Sequence, residues 1–279
     1  MGFYPLLLLR RVRLTNFLAA TLMFLTYAFT PTANAEEYSN FLGMEFVSIP
    51  SGSFKMGAAS KTFDVRLDEL PQRTVDVQAF QIMSTEVTLT QFKRYLIKSS
   101  RVNILTDPFM KANSYDNNAP VVFISLTDVT YFLYWLNENK PDSDSGEYML
   151  PTEAEWEYAC RAGGNESYCG SEKASTVAWY LSKTLAYQQP VAQKKGNAFG
   201  LYDMSGNVRE WVKDCYHINY ETAPSSGREW TRDCVSRKRV VRGGSWNEAA
   251  AASRATDRLA ASVNSRTPII GFRVVRKVP

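Results

Sequence analysis

The residues with chemistry to offer are four cysteines, one histidine and acids set among glycines. Cys160, Cys169, Cys215 and Cys234 all lie in the second half of the chain. They form no Cys-x-x-Cys redox motif and no zinc-ligand set. An even number suits two disulfides in an oxidising compartment, and four cysteines permit three pairings. The spacing favours the local pairs Cys160–Cys169 and Cys215–Cys234, each closing a loop within one segment. With His217 the only histidine, a multi-histidine metal centre cannot be built. Beside Cys215 and Tyr216, His217 reads as a surface or packing residue.

These groups belong to a chain of 279 residues, 45% hydrophobic and 22% charged, ordinary values for a soluble globular protein. Such a length buries a core without staples, so disulfides would refine the fold rather than create it. Residues 1–35 differ in character. Arg10, Arg11 and Arg13 precede an apolar run from Leu14 to Phe29, and Ala33-Asn34-Ala35 closes the segment. A positive stretch, an apolar stretch and a small-x-small site form a secretory signal, predicting a mature domain over 36–279 in the periplasm or outside the cell. If uncleaved, the same segment would be the only membrane attachment; no cysteine is placed for lipidation. Cleavage removes three of the four net positive charges, leaving a nearly neutral domain without the basic excess of a nucleic-acid binder.

The elements that must position the site follow from periodicity. Met44–Pro50 alternates as a strand, Ser51–Ser53 turns, and Phe54–Gly57 returns, which predicts a hairpin. Arg73–Met83 reads as another strand. Phe92, Tyr95 and Leu96 give one helical face with Thr88 or Thr90 as cap. Val129, Phe132, Leu133 and Leu136 mark a second helix capped by Ser125 or Thr127, with a polar loop over 99–119 before it. Thr152 and Glu155 form a capping box for a third helix. From 163 onward glycine, asparagine and serine dominate, with strand signals at Val240-Val241 and Phe272–Val275. The expected class is α+β, loop-rich, in one domain.

Ordered phrases in this sequence resemble the formylglycine-generating-enzyme (sulfatase-modifying-factor) family. They are Ile49-Pro50-x-Gly52-x-Phe54-x-Met56-Gly57, Glu86-Val87-Thr88, Leu150–Ala159, Phe199–Trp211, Val241-Arg242-Gly243-Gly244-Ser245-Trp246 and Gly271–Val275. The resemblance spans about 43–277 and implies a C-type-lectin-like α+β fold with little regular secondary structure. Family members include copper-dependent oxidases of sulfatase cysteines, iron enzymes, a siderophore-chromophore maturation enzyme, and binding proteins. The resemblance therefore fixes fold better than activity, and leaves open whether this chain is an enzyme.

Carried over by position, the oxidases' cysteine pair falls on Glu248 and Ser253. Hard oxygens cannot replace a Cu(I)–thiolate pair, and no cysteine lies beyond Cys234, so neither a copper nor an iron site is expected. The resemblance implies that Ser245, Trp246, Glu248, Ser253, Arg254 and Arg258 line a cleft for a protein or small-molecule partner. It also implies a structural calcium ion held by the Asp203 carboxylate, the Gly206 and Val208 carbonyls and the Glu210 carboxylate, an all-oxygen set that suits this ion. The functional expectation is an accessory or partner-binding protein without formylglycine-generating activity. The alternatives are a maturation-pathway enzyme acting on a small molecule such as a siderophore precursor, and a lectin-like sugar-binding module.

Overall fold

Strand alternation at the start of the domain produces β1 (Tyr38–Ser39), β2 (Glu45–Ile49) and β3 (Gly52–Met56), followed by β4 (Arg73–Val77) and β5 (Phe80–Met83). This computed structural model describes residues 37–59, 64–234 and 236–279. The expected export signal lies outside them. The expected β2–β3 hairpin does not form. β2 pairs antiparallel with β5, Val47 opposite Ile82, and β3 pairs with β4, Phe54 opposite Val75. Only Pro50 and Ser51 separate β2 from β3, and a two-residue hairpin turn needs a positive φ that proline cannot adopt. The chain therefore switches sheets there instead of folding back.

The helices begin where their caps predict. In α1 (Leu89–Lys98) the Thr88 hydroxyl accepts from Gln91 N, and the Gln91 side chain accepts from Thr88 N. α2 (Asp107–Ala112), capped by Thr106, lies in the stretch expected to be a polar loop. Its six residues bury Phe109 alone, too few for a periodic signal. Ser125 and Asp128 form the capping box of α3 (Leu126–Glu138), and β6 (Glu147–Met149) follows. In α4 (Glu153–Arg161), Thr152 and Glu155 form the box, and left-handed Ala162 (φ 47°) ends the helix.

The second half adds α5 (Ala174–Val177), β7 (Ala178–Trp179), β8 (Ser205–Gly206), β9 (Arg209–Cys215), β10 (Lys238–Arg242), β11 (Arg258–Ser262), β12 (Ile270–Gly271) and β13 (Val275–Lys277). One sheet has the order β1-β2-β5-β13-β6 and the other β11-β10-β9-β12, with two short ribbons beside them. One core gathers Phe92, Tyr95, Phe132, Phe272 and Trp211 between the first helices and the sheets. The other gathers Val75, Val77, Trp156, Tyr220 and Val240. The described residues form one unit, an α+β fold in which loops outweigh regular structure.

Both expected disulfides are present. Cys160–Cys169 ties the last turn of α4 to the loop after it, and Cys215–Cys234 ties the end of β9 to the segment before β10, with Cα separations of 4.8 and 5.6 Å.

Candidate functional site: a buried charge row and the cavity beside it

Residues opposite one another in an antiparallel pair present their side chains to the same face. Arg258 of β11 lies opposite Arg242 of β10, and Arg242 opposite Glu210 of β9, so three charged side chains cross the sheet in one row. Helix α4 meets the row with Glu153, Trp156 and Glu157, whose i, i+3, i+4 spacing puts them on one face. Arg258 grips both Glu153 oxygens at 2.8 Å, and Arg242 Nη2 reaches Glu157 at 2.6 Å. Trp156 Nε1 donates to Glu210 at 2.9 Å, and Arg273 binds the Glu210 carboxylate at 2.7 and 2.8 Å. All of these side chains are buried, where a charge persists only if paired. Burial alone would raise the Glu153 pKa, yet Arg258 and Arg242 hold it below the usual carboxylate value.

A second set of pairs anchors the segment after Ser245. Arg209 binds Glu248 through Nε and Nη2 at 2.8 and 2.9 Å and Asp257 at 3.0 Å, and the Ser245 hydroxyl donates to Glu248 at 2.8 Å. Arg254 binds both Glu69 oxygens at 2.7 Å. Burial opposes charge on Glu69, but hydrogen bonds from Arg254 and Thr256 hold its pKa below the usual value. Ser253 is buried with its hydroxyl unpartnered, and half-buried Trp246 donates to the Pro268 carbonyl at 3.2 Å.

The six residues expected to line one cleft thus divide. Ser245 and Glu248 meet in the Arg209 network, Arg254 borders a small depression with Thr256, and Arg258 lines a wider cavity. That cavity, about 860 Å³, is walled by Leu67, Leu70, Pro71, Tyr216, Ile218 and Leu259. Leu67 is 80% and Ile218 78% exposed at its rim, far more than apolar side chains held by their own core. Arg258 faces it from beneath Tyr216 and Tyr220, its guanidinium 5.1 and 4.4 Å from their ring centres.

The expected calcium ligands show a mixed fit. Asp203 is buried; its Oδ2 accepts from Ala192 N at 2.7 Å and its Oδ1 has no partner. Burial raises its pKa to about 6. That open oxygen suits a cation. Glu210 is instead committed to Arg273 and Trp156. Among the described residues, no group of three or more His, Cys, Asp or Glu side chains stands in metal-holding geometry.

Sequence reasoning passed over Arg209, Glu153, Glu157, Arg242, Asp257, Arg273 and Glu86. The available signal was a charged residue inside an otherwise apolar phrase, as at Glu86-Val87 or Val241-Arg242. His217 stacks on Trp230 with ring centres 3.5 Å apart, and its nitrogens meet the Cys215 and Arg232 carbonyls, so it packs. No helix among the described residues is long and apolar enough to cross a membrane.

Comparison with known proteins agrees with this geometry. A chaperone protein LppX of Paenibacillus barcinonensis is 34% identical over 149 residues, 46% of this chain and 49% of that protein, so the chain matches about half of this relative's length. The formylglycine-generating enzyme of Mycobacterium tuberculosis is 24% identical over 246 residues, covering 65% of this chain and 78% of the enzyme. The solved structure of PvdO from Pseudomonas aeruginosa superposes with a TM-score of 0.77 at 30% identity, covering 88% of this chain and 98% of PvdO. The sulfatase-modifying factor enzyme 1-like domain matches residues 32–278, and the chain belongs to that family.

Proposed function

We propose that this protein is an exported, non-catalytic member of the family that recognises a partner through the cavity beside Arg258. The carrying observation is the Arg209–Glu248 ion pair, which fills the position of an oxidase cysteine with a carboxylate already bound on both oxygens. Ser253, at the second cysteine position, is buried, and all four cysteines are tied in disulfides. Copper chemistry of the oxidase kind needs two soft thiolates, which neither side chain supplies. Recognition is supported by the apolar rim of Leu67, Ile218 and Leu259, which offers surface whose burial would favour association. The leader-like first 35 residues and the two disulfides support a periplasmic or secreted site of action. The open Asp203 oxygen supports a structural calcium ion beside the Gly206 and Val208 carbonyls. Its chemistry there would be charge neutralisation and loop ordering.

The test is incubation of the purified protein with copper, oxygen and a sulfatase-type cysteine peptide, followed by mass spectrometry for the aldehyde. No aldehyde is expected, and turnover would overturn the assignment. For recognition, Ile218→Asp should abolish partner capture while leaving the melting temperature unchanged. A second reading, a maturation enzyme acting on a small molecule such as a siderophore precursor, is favoured by the cavity's volume, which falls among small-molecule sites.

A further inference from the structure

The edge of a sheet presents an open row of backbone donors and acceptors that invites another strand, so folds normally guard it. The two main sheets end in β1, β6, β12 and β11. β1 has two residues, and β12 has two that are both buried. In β6 the Asn137 side chain accepts from Tyr148 N and donates to the Tyr148 carbonyl, which closes that edge at 2.8 Å on both sides. β11 differs. It runs five residues, Arg258-Leu259-Ala260-Ala261-Ser262, without proline, and its one charged side chain is turned into the buried row.

The register shows which of its groups are open. Val263 N donates to the Arg237 carbonyl at 3.1 Å. Bonding alternates along an antiparallel pair, so Ala261 and Leu259 also turn their backbone groups to β10, whereas Arg258, Ala260 and Ser262 turn theirs outward. The Arg66 guanidinium donates to the Arg258 carbonyl, and Ser265 N donates to the Ser262 carbonyl at 2.8 Å. Among the described residues, nothing pairs the Ala260 N–H and carbonyl or the Ser262 N–H. The cavity is lined by Arg258, Leu259 and Ala260 in succession. Neighbours on a strand point to opposite faces, so a cavity that touches three in a row follows the edge. The far end of β11 is basic. Lys238 lies opposite Ser262, and among the described residues Arg237, Lys238 and Arg239 form no ion pair. Lys238 and Ser262 share a face, and the short serine leaves the lysine free to reach across the strand.

We propose that an extended peptide of a partner protein adds to the sheet along β11. It pairs with Ala260 and Ser262, sets an apolar side chain into the cavity and carries acidic residues at the Lys238 end. The proposal rests on the recognition reading above and names the chemistry of the partner. In strand addition the main-chain bonds give affinity and the side-chain contacts give specificity. Here specificity comes from exposed Leu67, Ile218 and Leu259 at one end and from the unpaired cations at the other. Ser245, Trp246 and Glu248 do not line this cavity, so the peptide uses a surface other than the one the oxidase positions occupy.

Binding is read by fluorescence anisotropy with labelled synthetic peptides of alternating valine and threonine. One carries a run of aspartates at its N-terminus, one carries the run at its C-terminus, and a third pair carries lysines in their place. One of the aspartate peptides should bind, and its lysine counterpart should bind at least tenfold more weakly. Lys238→Glu, at an exposed site, should weaken the aspartate peptide at least tenfold and narrow or invert that preference. Ala260→Pro removes an outward N–H that the fold leaves unused and should weaken binding at least tenfold while the circular dichroism spectrum stays that of the parent. If Ala260→Pro does not fold, Lys238→Glu carries the test. Binding by neither aspartate peptide, or equal binding of aspartate and lysine peptides, would overturn the proposal. Loss of binding in Ile218→Asp with none in Ala260→Pro and Lys238→Glu would keep the cavity as a recognition site and overturn strand addition. Loss in Ala260→Pro and Lys238→Glu with none in Ile218→Asp would uphold the added strand and overturn the cavity reading.

Discussion

Replacing Arg258 separates a structural guanidinium from a ligand-facing one. Arg258 makes two hydrogen bonds to Glu153 at 2.8 Å and one each to the Asp68 and His217 carbonyls at 2.9 Å, with no exposed side-chain surface. Truncation leaves the Glu153 carboxylate with Arg242 Nε at 3.7 Å and the Tyr220 hydroxyl at 3.0 Å, and strands two carbonyls. Removing one partner of a buried ion pair costs about 3–5 kcal/mol, a large part of the roughly 5–15 kcal/mol that holds a domain together. Arg258→Met, which keeps much of the volume, should therefore lose about 3 kcal/mol or more in urea unfolding at neutral pH. A cycle with Glu153→Gln should show coupling of about 1–3 kcal/mol, the double variant being more stable than the summed losses imply. A ligand-contacting surface arginine would instead cost within about 0.5 kcal/mol. A loss below about 1 kcal/mol for Arg258→Met, or strict additivity in the cycle, would refute the reasoning.

Two further outcomes follow from the disulfides and from a buried carboxyl. Reducing either disulfide, whose cysteines are 9 and 19 residues apart, should lower stability by about 3 kcal/mol in the chain-entropy model, and non-reducing peptide mapping should return only Cys160–Cys169 and Cys215–Cys234. Asp214 has its pKa raised to about 7, by burial first and then by Glu153, so the folded state binds its proton more tightly than the unfolded state does. Its contribution is present below about pH 4 and is lost as pH rises to about 7. Across that window the stability of the parent relative to Asp214→Asn should fall by about 4 kcal/mol and then level off. Urea unfolding of both proteins across pH checks this, and a difference independent of pH would refute the shift.

How much was readable in the sequence depended on whether the signal was local. The capping boxes at Thr88, Ser125 and Thr152 each lie within four residues, and each helix starts where its box begins. The strands of the first sheet were visible as alternation, but alternation fixes the buried face and not the partner, which is why β2 was assigned to β3 rather than β5. The disulfide pairs were readable because each closes one short loop. Glu69 and Arg254 lie 185 residues apart and Glu153 and Arg258 lie 105 apart, so no local pattern could join them.

The same distance hides the structural partners of these charges from a local reading. A charged residue near a family cleft invites the role of ligand contact, because charges are seldom buried. Here the charges form the cleft's support. Arg242 and Glu210 share a cross-strand row whose lower wall is the Glu153-Trp156-Glu157 face of α4, and each charge gains a partner only when sheet and helix meet. Glu248 repeats the logic: its two oxygens are held by Arg209, and Arg209 in turn by Asp257, so the residue that the resemblance sets at the oxidase cysteine position is part of the frame. A cysteine there would leave Arg209 with half its partners. The exposed apolar surface lies outside that frame, where Leu67 and Ile218 stand beside the cavity.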